Sequence, residues 1–116
     1  MTQPTVLIID DEPDILELLE MTLGRMDLLT RRASTLEQAL ALLDAESFDL
    51  CLTDMRLPDG DGMTIVRHIQ QHCPATPVAM ITAFGSLDTA INALKAGAFD
   101  FLTKPVDLTR LRELVA

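Results

Sequence analysis

A chain of 116 residues with 48% hydrophobic content can bury one core and is read as a single domain. Its net charge of −9 and its lack of Trp and Tyr exclude the basic, base-stacking surfaces that nucleic acid or an anionic membrane requires of a direct partner. Cys51 and Cys73 follow no pattern and fit small apolar fillers in a reducing compartment; with no membrane-length run and no basic leader, a cytoplasmic protein is expected.

Val6-Leu7-Ile8-Ile9 reads as a strand ended by Asp10 and Asp11. Pro13 opens a helix whose apolar stripe is Ile15, Leu18, Leu19, Thr22 and Leu23. The second strand, Leu28 to Ala33, is more polar than the others, as an edge strand is. Ser34 and Glu37 have capping-box spacing at the head of a helix striped by Leu36, Ala39, Leu40 and Leu43. Leu50-Cys51-Leu52-Thr53 is the third strand, closed by Asp54. Asp59-Gly60-Asp61-Gly62 suggests a calcium loop but lacks the later bidentate Glu, so it reads as a turn into a third helix marked by Ile65, Val66 and Ile69. On that helix His68 and His72 have metal-pair spacing without a third ligand, and an exposed face is expected. Val78 to Ile81 forms the fourth strand, closed by Thr82. Leu87, Ala90, Ile91 and Leu94 stripe the fourth helix, and Gly97 suits its C-terminus. The fifth strand, Phe99 to Thr103, is closed by Lys104; Asp107 then caps a last helix carrying Leu108, Leu111 and Val115.

Strands alternating with amphipathic helices predict a doubly wound α/β domain. Nearly continuous apolar strands are those of a parallel sheet covered on both faces. With the polar strand at an edge, the order is 2-1-3-4-5, a flavodoxin-like sheet with five helices and its switch point between strands one and three. Asp10, Asp11, Asp54, Thr82 and Lys104 then emerge on one edge, where such sheets hold their active crevices. Two carboxylates ~4 Å apart repel by about 4 kcal/mol at an effective dielectric near 20. Three of them call for a cation, and a lysine and hydroxyl opposite suit a transferable phosphoryl group. Asp14 and Asp59 are read as helix-capping or solvated loop groups.

Ile8-Ile9-Asp10-Asp11-Glu12, Leu52-Thr53-Asp54-Met55-Arg56-Leu57-Pro58, Met80-Ile81-Thr82-Ala83 and Phe101-Leu102-Thr103-Lys104-Pro105 share the order and spacing of a response-regulator receiver domain, which the chain resembles over its whole length. Gly97 to Pro105 looks most like receivers of the nitrogen-regulation type, which precede an ATPase module acting on an alternative sigma factor (sigma-54) and a DNA-binding module. Residues 1–116 are therefore expected to be the N-terminal receiver of a longer regulator. The resemblance implies that Asp54 accepts a phosphoryl group from a sensor histidine kinase. It implies that Asp10, Asp11, Asp54 and the backbone carbonyl of Arg56 hold Mg²⁺. Lys104 would neutralise one phosphoryl oxygen and Thr82 would donate to another. The domain would be a phosphoacceptor that assists its own phosphorylation and slow dephosphorylation, not an enzyme acting on metabolites. Receivers commonly have a cis bond at Lys104-Pro105, and the same is expected here. Phe101 stands where many receivers carry a switch Tyr, and it would swing inward after Thr82 by packing alone. Arg56 and Phe84, two positions past Asp54 and Thr82, lie where receivers tune the lifetime of the phosphoryl group. Helix four, strand five and helix five would form the output face, with phosphorylation-dependent dimerisation.

Three other readings carry their own signatures. An aspartyl-phosphate hydrolase would place an Asp-x-Asp motif after the first strand and insert a cap. A flavin or nucleotide binder would have a glycine-rich loop where Pro13 stands. A degenerate receiver acting only by protein contact would lack part of the acidic set.

Overall fold

The computed structural model describes residues 3–83 and 87–115. Five parallel strands form one sheet: β1 (Thr5–Ile9), β2 (Leu29–Ala33), β3 (Leu50–Asp54), β4 (Val78–Ala83) and β5 (Asp100–Lys104). Their order is β2-β1-β3-β4-β5, as expected. Five helices connect and follow them: α1 (Pro13–Gly24), α2 (Leu36–Ala45), α3 (Gly62–His72), α4 (Leu87–Ala96) and α5 (Leu108–Val115). A two-residue hairpin, Arg56–Leu57 against Gly60–Asp61, bridges β3 and α3.

The strand period of two splits the core. Val6 and Ile8 of β1, with Leu52, Ile81 and Leu102, pack on α1 and α5. Leu7 and Ile9, with Cys51 and Met80, pack on α2, α3 and α4. All of β3 is buried, which its unbroken apolar run requires, whereas β2 is mostly exposed at the sheet edge. Among the described residues no helix is long and apolar enough to cross a membrane.

Local chemistry sets the element ends. Pro13 is the first residue of α1, where its missing N–H costs nothing. Asp61 caps α3 by accepting from Thr64 N–H at 3.1 Å, and Asp107 accepts from Thr109 N–H at 2.9 Å at the head of α5. Gly97, at φ 126°, ends α4 in a left-handed turn with Ala98 N–H on the Ala93 carbonyl at 3.0 Å. The Lys104-Pro105 bond is cis.

Four expectations shift. The cap of α2 is Thr35, which accepts from Gln38 N–H at 3.1 Å, one residue beyond the Ser34–Glu37 pair. In α1, Leu16 is buried while Ile15 and Leu18 are half-covered. The largest shift is in α4, which docks by Ala90 and Ala93; Leu87, Ile91 and Leu94 of its expected core stripe face outward at 63%, 39% and 40% exposure. Small residues let that helix approach the sheet closely, so its bulky residues are left on the far side. His68 is half-buried, because α2 packed on α3 brings Asp44 Oδ1 to 3.1 Å from its Nε2; His72 is exposed.

Candidate functional site

The sheet delivers its polar residues together because each apolar run is locked in register with the next. Ile9 pairs with Thr53, Asp54 with Ile81, and Ala83 with Lys104. Asp10 follows β1 and is fully buried, Asp54 ends β3 at 7% exposure, and Asp11 is exposed. One oxygen from each of the three carboxylates lies within 4.8 Å of the others, and among the described residues no second trio of His, Cys, Asp or Glu does so.

Lys104 opposes this negative charge. Its ammonium lies 3.1 Å from Asp10 Oδ2, 3.2 Å from Asp54 Oδ2 and 3.6 Å from Glu12 Oε1. Burial alone would lower the lysine pKa, but the hydrogen bonds and charges of Asp10 and Asp54 override it and raise the value. The Asp10 pKa is raised as well, which for a carboxylate disfavours the charged form. Burial, with the Asp54 charge added, lifts it from 3.8 to about 6 against the lowering pull of the Glu12 N–H and Lys104.

Two buried oxygens lack a hydrogen-bond partner among the described residues: Asp10 Oδ2 and Thr82 Oγ1. Asp10 Oδ2 touches the lysine as an ion pair without hydrogen-bond alignment. Such groups are costly to bury unless something binds them. An all-oxygen acidic trio with a spare carboxylate lone pair fits a hard divalent cation such as Mg²⁺. Thr82 belongs to the interior of β4 instead of following it. The residue lines, with Asp54, Arg56 and Lys104, a cleft of about 270 Å³.

The segment after Asp54 is drawn close. Gly62 N–H donates to the Met55 carbonyl at 2.7 Å, and a Cβ on Gly62 would fall 2.3 Å from the Asp54 carbonyl oxygen. Only glycine permits that approach. Arg56 N–H lies 3.5 Å from Asp54 Oδ1.

The fold thus gathers Asp10, Asp11, Asp54, Thr82, Lys104 and Arg56 into one place. Phe101 is elsewhere: opposite Met80 in the ladder and half-buried against the α2–α3–α4 core. Phe84 lies outside the described residues. Sequence reasoning passed over Glu12, Met55 and Thr89, which also line the cleft. Glu12 was detectable as the neighbour of the acid pair, whereas Thr89 arrives only through the docking of α4.

A parallel sheet in the order 2-1-3-4-5, carrying three acids, a lysine and a hydroxyl at one rim, defines the receiver class of two-component signalling proteins. The family described as the response regulator receiver domain matches residues 6–116, and the chain belongs to it. It is 72% identical over its whole length to the response regulator protein PilR of Pseudomonas aeruginosa, covering 26% of that protein. It is 36% identical over 99% of its length to the DNA-binding transcriptional regulator NtrC of Proteus hauseri, covering 24% of that protein. A solved structure, the beryllofluoride-activated NtrC4 receiver domain dimer, matches at TM-score 0.90 and 34% identity over 96% of this chain and 92% of that one. The nitrogen-regulation resemblance is borne out, and the chain spans about a quarter of the length of these curated relatives.

Proposed function

We propose that the domain is a phosphoacceptor switch in which Asp54 receives a phosphoryl group from the phosphohistidine of a sensor histidine kinase. A carboxylate oxygen of Asp54 forms a bond to phosphorus while the P–N bond breaks, and the freed imidazole takes up a proton. The observation carrying this reading is the convergence on Asp54 of a lysine ammonium at 3.2 Å and a cleft lined by Thr82, whose buried hydroxyl has no partner among the described residues. Phosphoryl transfer needs positioning and charge stabilisation more than covalent chemistry from the protein.

Asp10, Asp11, Asp54 and the Arg56 carbonyl would hold Mg²⁺, which supplies positive charge to the phosphoryl oxygens when bound. Asp10, with a pKa of about 6, is ionised at neutral pH and available as a ligand. Lys104 neutralises one phosphoryl oxygen, and Thr82 moves to donate to another. Phe101 follows into the vacated space, held there by packing because it has no hydroxyl. Arg56 at the rim, and Phe84 two positions past Thr82 in the sequence, restrain attacking water. The site assists its own phosphorylation and slow dephosphorylation and performs no metabolic turnover.

The output face is α4, β5 and α5. Leu87, Ile91, Leu94 and Phe99 stand outward there, an apolar set that a second copy would cover on phosphorylation. That the NtrC4 match is an activated receiver dimer supports this. We read residues 1–116 as the receiver unit of a longer cytoplasmic regulator whose output, by likeness to NtrC, is transcriptional activation through a DNA-binding module. Intact mass before and after a small phosphodonor with Mg²⁺ tests the core step. A gain of one phosphoryl that is lost in Asp54→Asn is expected; no gain, or a gain that survives the substitution, sinks it.

A further inference from the structure

The turn after the nucleophile strand is tied to a helix that is not its own. Asp59 Oδ1 accepts the Leu36 N–H at 2.7 Å, and Asp59 Oδ2 accepts the Glu37 N–H at 3.0 Å. These are the first two N–H groups of α2, which have no partner inside the helix. Thr35 Oγ1 takes the third, from Gln38. Backbone donors and the helix dipole both favour a carboxylate here, and these bonds hold Asp59 below the usual carboxylate pKa range. Gly60 seats the same turn on α2, since a Cβ there would meet Leu36 Cδ2 at 2.5 Å.

The segment from Met55 to Asp61 is therefore held three times. Gly62 N–H on the Met55 carbonyl closes its base, the hairpin of Arg56–Leu57 with Gly60–Asp61 fixes its length, and Asp59 fixes its tip. Arg56, whose carbonyl completes the proposed cation site, sits between base and tip.

We infer that Asp59 is a positioning residue for the acidic site: its carboxylate latches the post-nucleophile loop to the N-terminus of α2 and so sets the backbone at Arg56. This rests on the receiver reading of that site. Groups that orient metal ligands from outside commonly change metal affinity by about 10–100-fold when removed.

Calorimetric Mg²⁺ titration of the wild type, Asp59→Ala, Asp59→Asn and Thr35→Ala tests the latch, with urea midpoints measured alongside in EDTA. Asp59→Ala weakens Mg²⁺ about tenfold. Asp59→Asn, which keeps one acceptor oxygen, falls between it and the wild type. Thr35→Ala removes the other cap of α2 without touching the loop; it lowers the urea midpoint and leaves Mg²⁺ affinity unchanged. In the metal-free protein, amide exchange at Arg56 and Leu57 quickens in Asp59→Ala and not in Thr35→Ala. A wild type that binds with an Asp59→Ala that binds equally well overturns the inference, as does an equal loss in Thr35→Ala. A wild type that takes up no Mg²⁺ overturns the receiver reading as well.

Discussion

Asp10→Asn should make the metal-free protein more stable at neutral pH, although it damages the site. The Asp10 carboxyl is fully buried, and its pKa in the folded chain is about 6 against an ordinary 3.8. The folded state therefore holds this proton more tightly than the unfolded chain does. Stability from this group falls as pH rises from 3.8 toward 6, and the loss is complete above 6. At 1.36 kcal/mol per pH unit the ionised group costs about 3 kcal/mol at pH 7.5. Asparagine is isosteric, and its carbonyl oxygen can still accept the Glu12 N–H that Asp10 Oδ1 takes at 2.9 Å. Losing the Lys104 contact returns part of the gain, so about 1–3 kcal/mol of stabilisation is expected. At pH 5 about half of the gain should remain, because the wild-type carboxyl is then mostly protonated. Urea unfolding followed by far-ultraviolet circular dichroism in EDTA suits a chain without Trp or Tyr. A variant no more stable than the wild type at pH 7.5, or a gain that is the same at both pH values, would refute the reasoning.

The other predictions concern residues around and beyond this carboxylate. Lys104→Met removes the ammonium within 3.6 Å of Asp10, Glu12 and Asp54, so calorimetry should show Mg²⁺ binding tightened about fivefold, from ~1 kcal/mol of lost repulsion. Weaker binding would contradict the cation's placement. Gly62→Ala forces a Cβ to 2.3 Å from the Asp54 carbonyl oxygen and should cost about 1–3 kcal/mol in urea unfolding, with slower phosphoryl uptake by intact mass. Ile91→Ser, on the outward face of α4, should change stability by less than about 0.5 kcal/mol yet keep the phosphorylated chain monomeric in light scattering. A dimer that persists would move the interface elsewhere.

The sheet was legible because strands β1, β3 and β4 are unbroken apolar runs, each ending at or beside a polar residue that has no place in the core. The same feature made Asp10, Asp11, Asp54, Thr82 and Lys104 legible as a set. Local pattern could not resolve competing local solutions. Ser34-Thr35-Leu36-Glu37-Gln38 contains two overlapping capping-box spacings; the chain caps with Thr35, while the Gln38 side chain accepts the Ser34 N–H. Nor does periodicity tell which side of a helix docks: α4 has a leucine–isoleucine face and an alanine face, and the alanines pack inward. Asp59 bonds to N–H groups 23 and 22 positions back in the chain, and no local spacing announces that contact.

The energetics of the site bear on what must move. Relief of the Asp10 penalty by a bound cation stabilises the chain, but it is nearly the same in any conformation that keeps Asp10 beside Asp54. It cannot by itself choose between them. In the proposed switch the group whose bonding would change is Thr82, whose hydroxyl is buried and unpartnered among the described residues. One hydrogen bond to a charged phosphoryl oxygen contributes about 1.5–3 kcal/mol, a shift of about 10- to 150-fold. Moving an equilibrium from 1:99 to 99:1 needs about 5.5 kcal/mol, which leaves a shortfall. Leu87, Ile91 and Leu94 can supply it, since burying each in a dimer gains about 1–2 kcal/mol from their remaining exposed area. On the proposed reading, dimerisation would be part of the switch's driving force and not only its output. Activation should accordingly rise with protein concentration, and Ile91→Ser should weaken it at full phosphorylation of Asp54.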